Sequence, residues 1–209
     1  MQELFYTVSF TTPAFLGNAE QQAQWRTPPF KALLRQWWRV AAAPQFNYDH
    51  HALREAEGIL FGQAHEGDNR KSLVRFRLSQ WDSGKLTRLK NSETVVHQEV
   101  QYNRGNIEAN VYLGFGPVST RGLAKPPAIE PEKQTAELWL GFPDANDEKI
   151  KQAVRLMGWF GTLGSRSRNG WGSLQMDGIQ SPQAADLTPF SRSLSQCLQL
   201  DWPHAIGRD

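Results

Sequence analysis

Apolar residues repeat with helical spacing directly after two consecutive prolines, Pro28 and Pro29. They fall at positions i, i+3, i+4, i+7 and i+8, namely Phe30, Leu33, Leu34, Trp37 and Trp38. This spacing places them on one face of a helix, and proline is tolerated in the first turn of a helix. The two tryptophans continue the apolar face, so we expect both of them in the core.

The same patterns predict the other elements of the fold. Aromatic and β-branched content or alternation predicts strands over residues 4–10, 72–81, 135–142 and 173–179. Helical patterns cover residues 51–61, where Gly62 follows, and residues 147–160. Residues 98–118 are ambiguous, with a turn-like stretch at 103–106, and the proline-rich residues 122–131 predict a long loop. Apart from insertions, the order is strand, helix, strand, strand, helix, strand, which is the ferredoxin-like (RRM-like) α+β arrangement.

A glycine-rich segment, residues 161–173 (GTLGSRSRNGWGS), connects the last predicted helix to the last predicted strand. Glycine allows positive φ and close approach of the backbone to a ligand, and arginine offers forked donors that fit phosphate oxygens. The segment lacks the Gly-Lys-Ser/Thr ending of phosphate loops that hold a metal-bound nucleotide. It therefore favours binding of a polyanion over nucleotide hydrolysis, with a solvated flexible loop as the alternative.

Charge is distributed unevenly along a chain whose formal net charge is only +2. A globally basic surface is excluded, but residues 21–48 and 149–176 contain no acidic residue. In the first of these zones Lys31, Arg35 and Arg39 recur every four residues on the polar face of the predicted helix. They form either a phosphate-binding stripe or an ordinary solvated helix face.

Cysteine and histidine supply no recognisable site. A single cysteine, Cys197, excludes an intrachain disulfide and a cysteine-built zinc site. The histidines have no metal-ligand spacing and no catalytic constellation; they are His50, His51, His65, His97 and His204. We expect no metal and no cofactor. The chain also lacks a signal-peptide pattern and a run of about 20 apolar residues, so we expect a cytoplasmic protein that does not engage a membrane.

Residues 15–41 and the glycine-rich segment together resemble the RAMP superfamily of CRISPR effector proteins, most closely subunit one of the type III Cmr complex. The matching positions in the helix are Pro28, Pro29, Lys31, Arg35, Trp37, Trp38 and Arg39. Those in the glycine-rich segment are Gly164, Arg166, Arg168, Gly170, Trp171 and Gly172. Ala32 stands where the family often has glycine, and the chain has residues for one module where family members usually have two.

The resemblance implies a single RAMP domain over residues 1–180 and a C-terminal extension, residues 181–209, that packs on it. It also implies a non-catalytic RNA-binding subunit of an effector complex in antiviral defence. Its partners would be guide RNA, target RNA and other RAMP subunits. The residues expected to contact RNA are Arg26, Lys31, Arg35, Arg39, Gly164, Ser165, Arg166, Ser167, Arg168, Asn169, Gly170 and Trp171.

Two other functions fit the sequence. The first is a metal-independent, guide-processing RNA endonuclease of the same superfamily, which requires His50, His51 or His204 beside the glycine-rich segment. The second is an assembly module whose basic zones bind an acidic protein partner. Salt-dependent RNA binding without cleavage distinguishes the RNA-binding subunit from both alternatives.

Overall fold

The computed structural model describes residues 1–64, 69–100 and 105–209. His65 and residues 103–104 of the expected turn lie outside these ranges. The helices are α1 (Thr27–Ala42), α2 (His50–Phe61), α3 (Ala109–Leu113), α4 (Asp147–Phe160), α5 (Ala184–Leu187) and α6 (Leu194–Leu198). The strands are β1 (Gln2–Phe10), β2 (Arg75–Leu78), β3 (Leu86–Arg88), β4 (Thr94–Val96), β5 (Asn106–Glu108), β6 (Leu123–Ala128), β7 (Ala136–Phe142), β8 (Leu174–Met176), β9 (Ser191–Ser193) and β10 (Ile206–Arg208).

A four-stranded sheet in the order β2-β7-β1-β8 forms the centre of the fold, and each pair of neighbours is antiparallel. Its strands alternate between a covered and an open face because successive side chains point to opposite sides of a sheet. On the covered face Leu4 lies opposite Leu140, and Phe10 lies opposite Leu174. The predicted mixture of helices and an antiparallel sheet is confirmed.

Helices α1 and α4 pack against each other and, together with α2, supply the main core with most of its helical residues. The apolar spacing in α1 corresponds to its buried face, which includes Phe30, Leu34 and Trp38. Trp37 is only half-buried, and its ring centroid lies 5.7 Å from that of Phe160. The core prediction is therefore confirmed for Trp38, whereas Trp37 lies at the margin of the core.

A second, smaller core contains Phe15, Leu89, Val111, Val118, Ala124, Ala128 and Trp171. Antiparallel pairing of β3 with β6 forms part of the wall of this core. The prediction of a long loop over residues 122–131 was wrong, because Leu123–Ala128 forms β6. The register of β6 with β3 is irregular between the pairs Leu86–Ala128 and Arg88–Leu123, so prolines at 126 and 127 lie where the ladder is interrupted.

The C-terminal residues are attached to the main core. Phe190 is buried within it, and Ile206 of β10 packs against it. Arg192 lies over the ring of Tyr48, with 4.0 Å between its guanidinium carbon and the ring centroid. The division into residues 1–180 and 181–209 stays a prediction. In the described ranges, no helix combines the length and apolar character that crossing a membrane requires.

Candidate nucleic-acid interface

The glycine-rich loop, residues 161–173, joins α4 to β8 and is held by the segment that follows β1. The backbone N–H of Ser165 donates to the carbonyl oxygen of Phe15 at 3.0 Å. The backbone N–H of Gly172 donates to the carbonyl oxygen of Pro13 at 2.9 Å. These bonds fix both halves of the loop to the same neighbouring segment, so it has a defined conformation instead of acting as a free tether.

Two glycines of this loop are required by the backbone itself. Gly164 has φ of +97°, and a Cβ there would stand 2.6 Å from the carbonyl oxygen of Phe15. Gly172 has φ of +67°, and a Cβ there would overlap the carbonyl oxygen of Leu163. Gly170 also has positive φ, +83°, but has open space where a Cβ would be. Glycine at the first two positions therefore serves close packing as well as conformational freedom.

The polar side chains of the loop are exposed, but they are not equally free. Arg166 donates from Nε to the carbonyl oxygen of Phe115 at 2.8 Å, and Asn169 donates from Nδ2 to that of Leu113 at 2.8 Å. Arg168 is exposed and has no hydrogen bond or ion pair within the described ranges. Arg168 can therefore offer its whole guanidinium to an anion, whereas Arg166 offers only the donors that its structural bond leaves over.

Trp171 points inward and anchors the loop. Its side chain is 6% exposed and belongs to the second core, where its ring centroid lies 5.7 Å from that of Phe15 in an edge-on arrangement. Stacking of Trp171 on an RNA base would require this ring to leave the core. The neighbouring Ser165 is exposed and Ser167 is half-exposed, so the RNA contacts expected of this loop fall to its small and cationic residues.

The cationic stripe of α1 is organised by a carboxylate that the sequence did not single out. Arg35 donates from Nε to Oε1 of Glu57 at 2.5 Å. Arg39 donates from Nε to Oε2 of Glu57 at 2.6 Å and from Nη2 to Oε1 at 2.8 Å. The Glu57 side chain is only 2% exposed, whereas each arginine side chain is 34% exposed.

Burial by itself would raise the pKa of Glu57, but the hydrogen bonds from Arg39 and Arg35 outweigh it, and the pKa of Glu57 is lowered. The carboxylate is therefore ionised at neutral pH and cancels one of the two arginine charges. The outward N–H groups of both guanidiniums remain able to donate to a phosphate. The stripe is thus a partly neutralised surface with a structural role, not a fully free row of cations.

Arg26 immediately precedes α1, and Lys31 is the first cation of the stripe. Arg26 donates from Nη1 to the carbonyl oxygen of Gly17 at 2.6 Å, close to the segment that holds the glycine-rich loop. Partial burial, followed by repulsion from Arg35, lowers the pKa of Lys31. A helix rises about 1.5 Å per residue, so Arg26 and Arg39 lie about 20 Å apart. The predicted residues therefore form two groups, one at the loop and one around Glu57.

The three histidines required for the endonuclease alternative lie with the second group. His50 and His51 stack at the start of α2 with their ring centroids 3.9 Å apart. Burial, followed by repulsion from Arg39, lowers the pKa of His204. In the described ranges none of the three makes a hydrogen bond or ring contact with the glycine-rich loop.

A different histidine lies near the loop. His97 shares a hydrogen bond with Tyr112, with 2.8 Å between Nε2 and Oη. Tyr112 and Arg166 line the same cleft, which has a volume of about 840 Å³. The sequence placed Tyr112 in a stretch of ambiguous structure and did not connect it with the glycine-rich loop, because no spacing links it to Arg166, 54 positions further along the chain.

A signal for Glu57 was nevertheless present in the sequence. Leu53, Glu57 and Leu60 follow the helical spacing of the buried face of α2. A carboxylate on an apolar face requires a cationic partner, since an unpaired buried charge is strongly unfavourable.

The described residues contain no group of three His, Cys, Asp or Glu side chains that could hold a metal ion.

A family model for the RAMP superfamily matches residues 7–175, which include the end of β1, both long helices of the core and the glycine-rich loop. The chain belongs to the RAMP superfamily. This confirms the resemblance carried by α1 and the loop. A comparison with curated protein sequences gives no match.

Solved structures show the same similarity. Cmr1 from Pyrococcus furiosus, in its apo form, is 20% identical with a TM-score of 0.53; the match covers 90% of this chain and 53% of Cmr1. A type III-B Cmr-beta complex bound to cognate target RNA is 11% identical (TM-score 0.49, covering 85% of this chain and 59% of the matched chain). A type IV-B CRISPR complex is 12% identical (TM-score 0.48, covering 88% and 94%). The RAMP chain described here thus spans about half the length of P. furiosus Cmr1.

Proposed function

We propose that this RAMP protein is a non-catalytic RNA-binding subunit of a type III CRISPR effector complex. The observation that carries the proposal is the conformation of the glycine-rich loop, which is hydrogen-bonded at both halves while Arg168 points free into solvent. A rigid loop presents its cations to a phosphate without first having to be ordered, so less conformational entropy is lost on binding. Guide RNA, target RNA and other RAMP subunits are the proposed partners.

The proposal includes a ferredoxin-like unit formed by β1, α1, β2, β7, α4 and β8. The sheet order β2-β7-β1-β8 and the packing of α1 against α4 support it. In this unit the glycine-rich loop connects the second helix, α4, to the last strand, β8. This arrangement brings the loop next to the segment after β1, where Arg26 contacts the carbonyl oxygen of Gly17.

Phosphate contacts are assigned first to Arg168, then to Arg166, and then to the remaining stripe cations. Arg168 has no competing partner within the described part of the chain, and the bond of Arg166 to Phe115 leaves its two terminal nitrogens available. Arg35 and Arg39 form ion pairs with Glu57, so they contribute less net attraction to a phosphate. Glycines 164 and 170, with Ser165, Ser167 and Asn169, supply the backbone and small polar groups around these cations.

The test is RNA binding by the Arg168→Ala protein as a function of salt. Each lost phosphate contact removes about 0.7 units from the slope of log K against log salt for single strands, so the variant should bind more weakly and with a shallower slope. Arg54→Ala removes another exposed arginine, from α2, and serves as the matched control. An unchanged slope in folded Arg168→Ala protein would contradict the proposal.

Absence of catalysis is also a proposal. Cleavage without a metal requires a base near the 2′-hydroxyl and an acid near the leaving oxygen, both close to the phosphate. His50, His51 and His204 are grouped near the end of α1 that is distant from Arg26. The pair of His97 and Tyr112 beside the Arg166 cleft is the group that a cleavage assay must include.

A further inference from the structure

The open face of the four-stranded sheet carries a row of three side chains that the proposed function does not use. Phe5 of β1 is directly opposite Trp139 of β7, and Trp139 is directly opposite Arg77 of β2. Residues paired in this way project from the same side of the sheet. Their neighbours Leu4, Leu140 and Phe76 form the next row, which faces the core.

The two aromatic rings of this row are accessible. Phe5 is 67% exposed although it lies in the longest strand of the sheet, where it pairs with Trp139. A Cβ at Gly141 would stand 2.7 Å from the Trp139 ring, so this indole is folded over the glycine along the sheet surface. One side of the ring is supported by backbone, the Arg77 guanidinium lies over the ring, and the side chain as a whole is half-exposed.

Charged residues surround the rings. The Arg77 guanidinium carbon lies 5.6 Å from the Trp139 ring centroid, and exposed Arg75 is opposite Gly141 in the adjacent row of the open face. Glu3 shares that row, and Glu137 occupies the row on the other side, where it accepts a hydrogen bond from the Thr7 hydroxyl at 3.1 Å. The cations are thus at the β2 edge, beside the rings. The carboxylates lie in the two rows of the open face that flank the row of the rings.

We infer that this open face binds unpaired bases of single-stranded RNA, with Phe5 and Trp139 as stacking platforms and Arg77 and Arg75 facing the sugar–phosphate backbone. Aromatic side chains on a four-stranded sheet are a general means of stacking unpaired RNA bases, and stacking is tolerant of sequence because every base has a π-face. The inference rests on the proposed RNA-binding function but uses different residues.

A protein partner fits this surface less well. Stable protein interfaces bury about 800 Å² on each side, and charged residues are depleted at their centres. Here the apolar area consists of two rings surrounded by two arginines and two glutamates. An apolar area of this kind suits one or two bases. The face carries as many carboxylates as arginines, so stacking rather than phosphate attraction should supply most of the affinity.

The experiment measures fluorescence anisotropy of a labelled oligouridine of about 12 nucleotides, within the length that single-strand sites cover, bound to the full chain. Phe5→Ala and Phe5→Leu should each weaken binding roughly 5- to 100-fold, the range for loss of one stacked base. Phe5→Tyr keeps the π-face and should bind like the wild type. Leu198→Ala is the matched control, because it removes a 77% exposed apolar side chain elsewhere.

The Phe5→Leu variant distinguishes base stacking from a purely apolar contact of the ligand with Phe5, since leucine preserves an apolar contact but not a stacking face. The Phe5 variants should leave the salt slope unchanged, whereas Arg168→Ala should lower it. Photocrosslinking of 5-iodouridine RNA to the peptide that contains Phe5 or Trp139 gives a direct readout of contact.

Wild-type affinity in folded Phe5→Ala and Phe5→Leu proteins, with no crosslink to β1 or β7, would overturn the inference. If Arg168→Ala still lowered the salt slope, the proposed function would stand alone. Loss of a protein contact in Phe5→Ala without any change in RNA affinity would also overturn the inference. A wild-type protein that binds no RNA would remove the inference and the proposed function together.

Discussion

Gly170 and Gly172 lie two residues apart in one loop, yet the surroundings of their α-carbons differ. Both have positive φ, but only Gly172 faces backbone, that of Leu163, where a side chain would begin. Glycine is therefore needed at these two positions for different physical reasons. At Gly170 the reason is conformation alone, and at Gly172 it is conformation together with packing.

This difference predicts unequal losses of stability. Gly170→Ala should lower the free energy of unfolding by about 1 kcal/mol, the cost of placing a Cβ in the left-handed region. Gly172→Ala should lower it by about 3 kcal/mol or more, because overpacking adds about 1–3 kcal/mol to the same strain. Urea denaturation of the two proteins measures both values. Equal losses would contradict the close packing of Gly172 against Leu163.

Helices α1 and α2 are connected by a buried ion pair, so their relation depends on charge as well as apolar contact. Glu57 of α2 receives three hydrogen bonds from Arg35 and Arg39 of α1. Removing one partner from a buried pair commonly costs about 3–5 kcal/mol, because the remaining charge loses its compensation. Since both arginines are partly exposed, water reduces that cost here.

Glu57→Gln should therefore destabilise the protein by about 2–3 kcal/mol, whereas Glu55→Gln, at an exposed position of the same helix, should have almost no effect. The lowered pKa of Glu57 means that its stabilisation is complete above its unfolded value of 4.5 and is lost as the pH falls through its folded value. Thermal melts between pH 7 and acid should be flatter for Glu57→Gln than for the wild type. Parallel profiles would contradict the ion pair.

His204 adds a pH effect in the same direction at higher pH. Because burial lowers its pKa, the unfolded chain binds a proton more readily than the folded one just below the ordinary value of 6.5. Stability contributed by neutral His204 is therefore lost as the pH falls below that value. The two effects occupy different pH ranges, so His204→Gln should remove the first decline and Glu57→Gln the second.

On the scale of the whole molecule, RNA recognition depends on local surfaces because the formal net charge is only +2. The glycine-rich loop offers Arg168, which has no competing partner in the described ranges, and the terminal nitrogens of Arg166. The α1 stripe offers cations partly neutralised by Glu57, and the open sheet face offers aromatic rings. Binding through the loop should depend strongly on salt and binding through the sheet weakly.

We expect the whole protein to bind RNA without cutting it, with or without magnesium. Its cations can stabilise charge, but the histidines at the start of α2 and near Arg39 are not in contact with the loop in the described ranges. Gel analysis of end-labelled RNA after prolonged incubation tests this expectation. Specific cleavage that disappears in His97→Ala, or in His50→Ala, His51→Ala or His204→Ala, would establish an endonuclease instead.

Composition and periodicity together predicted the elements that form the sheet and its helices. The alternation along residues 72–81 and the 3.6-residue repeat of α1 and α4 indicate which side of each element is buried, because the pattern and the backbone geometry share a period. The same reasoning placed Trp38 in the core. The same reasoning could not predict that Leu123–Ala128 forms β6. The prolines of this segment argue against a strand, and the pairing with β3 that forms it is not visible in the local sequence.

The sequence by itself determined the family, the main elements and the concentration of cations in α1 and the glycine-rich loop, since these are properties of neighbouring residues. Only the tertiary structure decided how those residues are used. Trp171 became an anchor because the second core surrounds it, and Arg35 and Arg39 became ion-pair partners because packing brings Glu57 against them. Phe5, Trp139 and Arg77 became one row because strand register joins positions 134 and 62 residues apart. Burial and register are relations between distant segments, and no local pattern contains them.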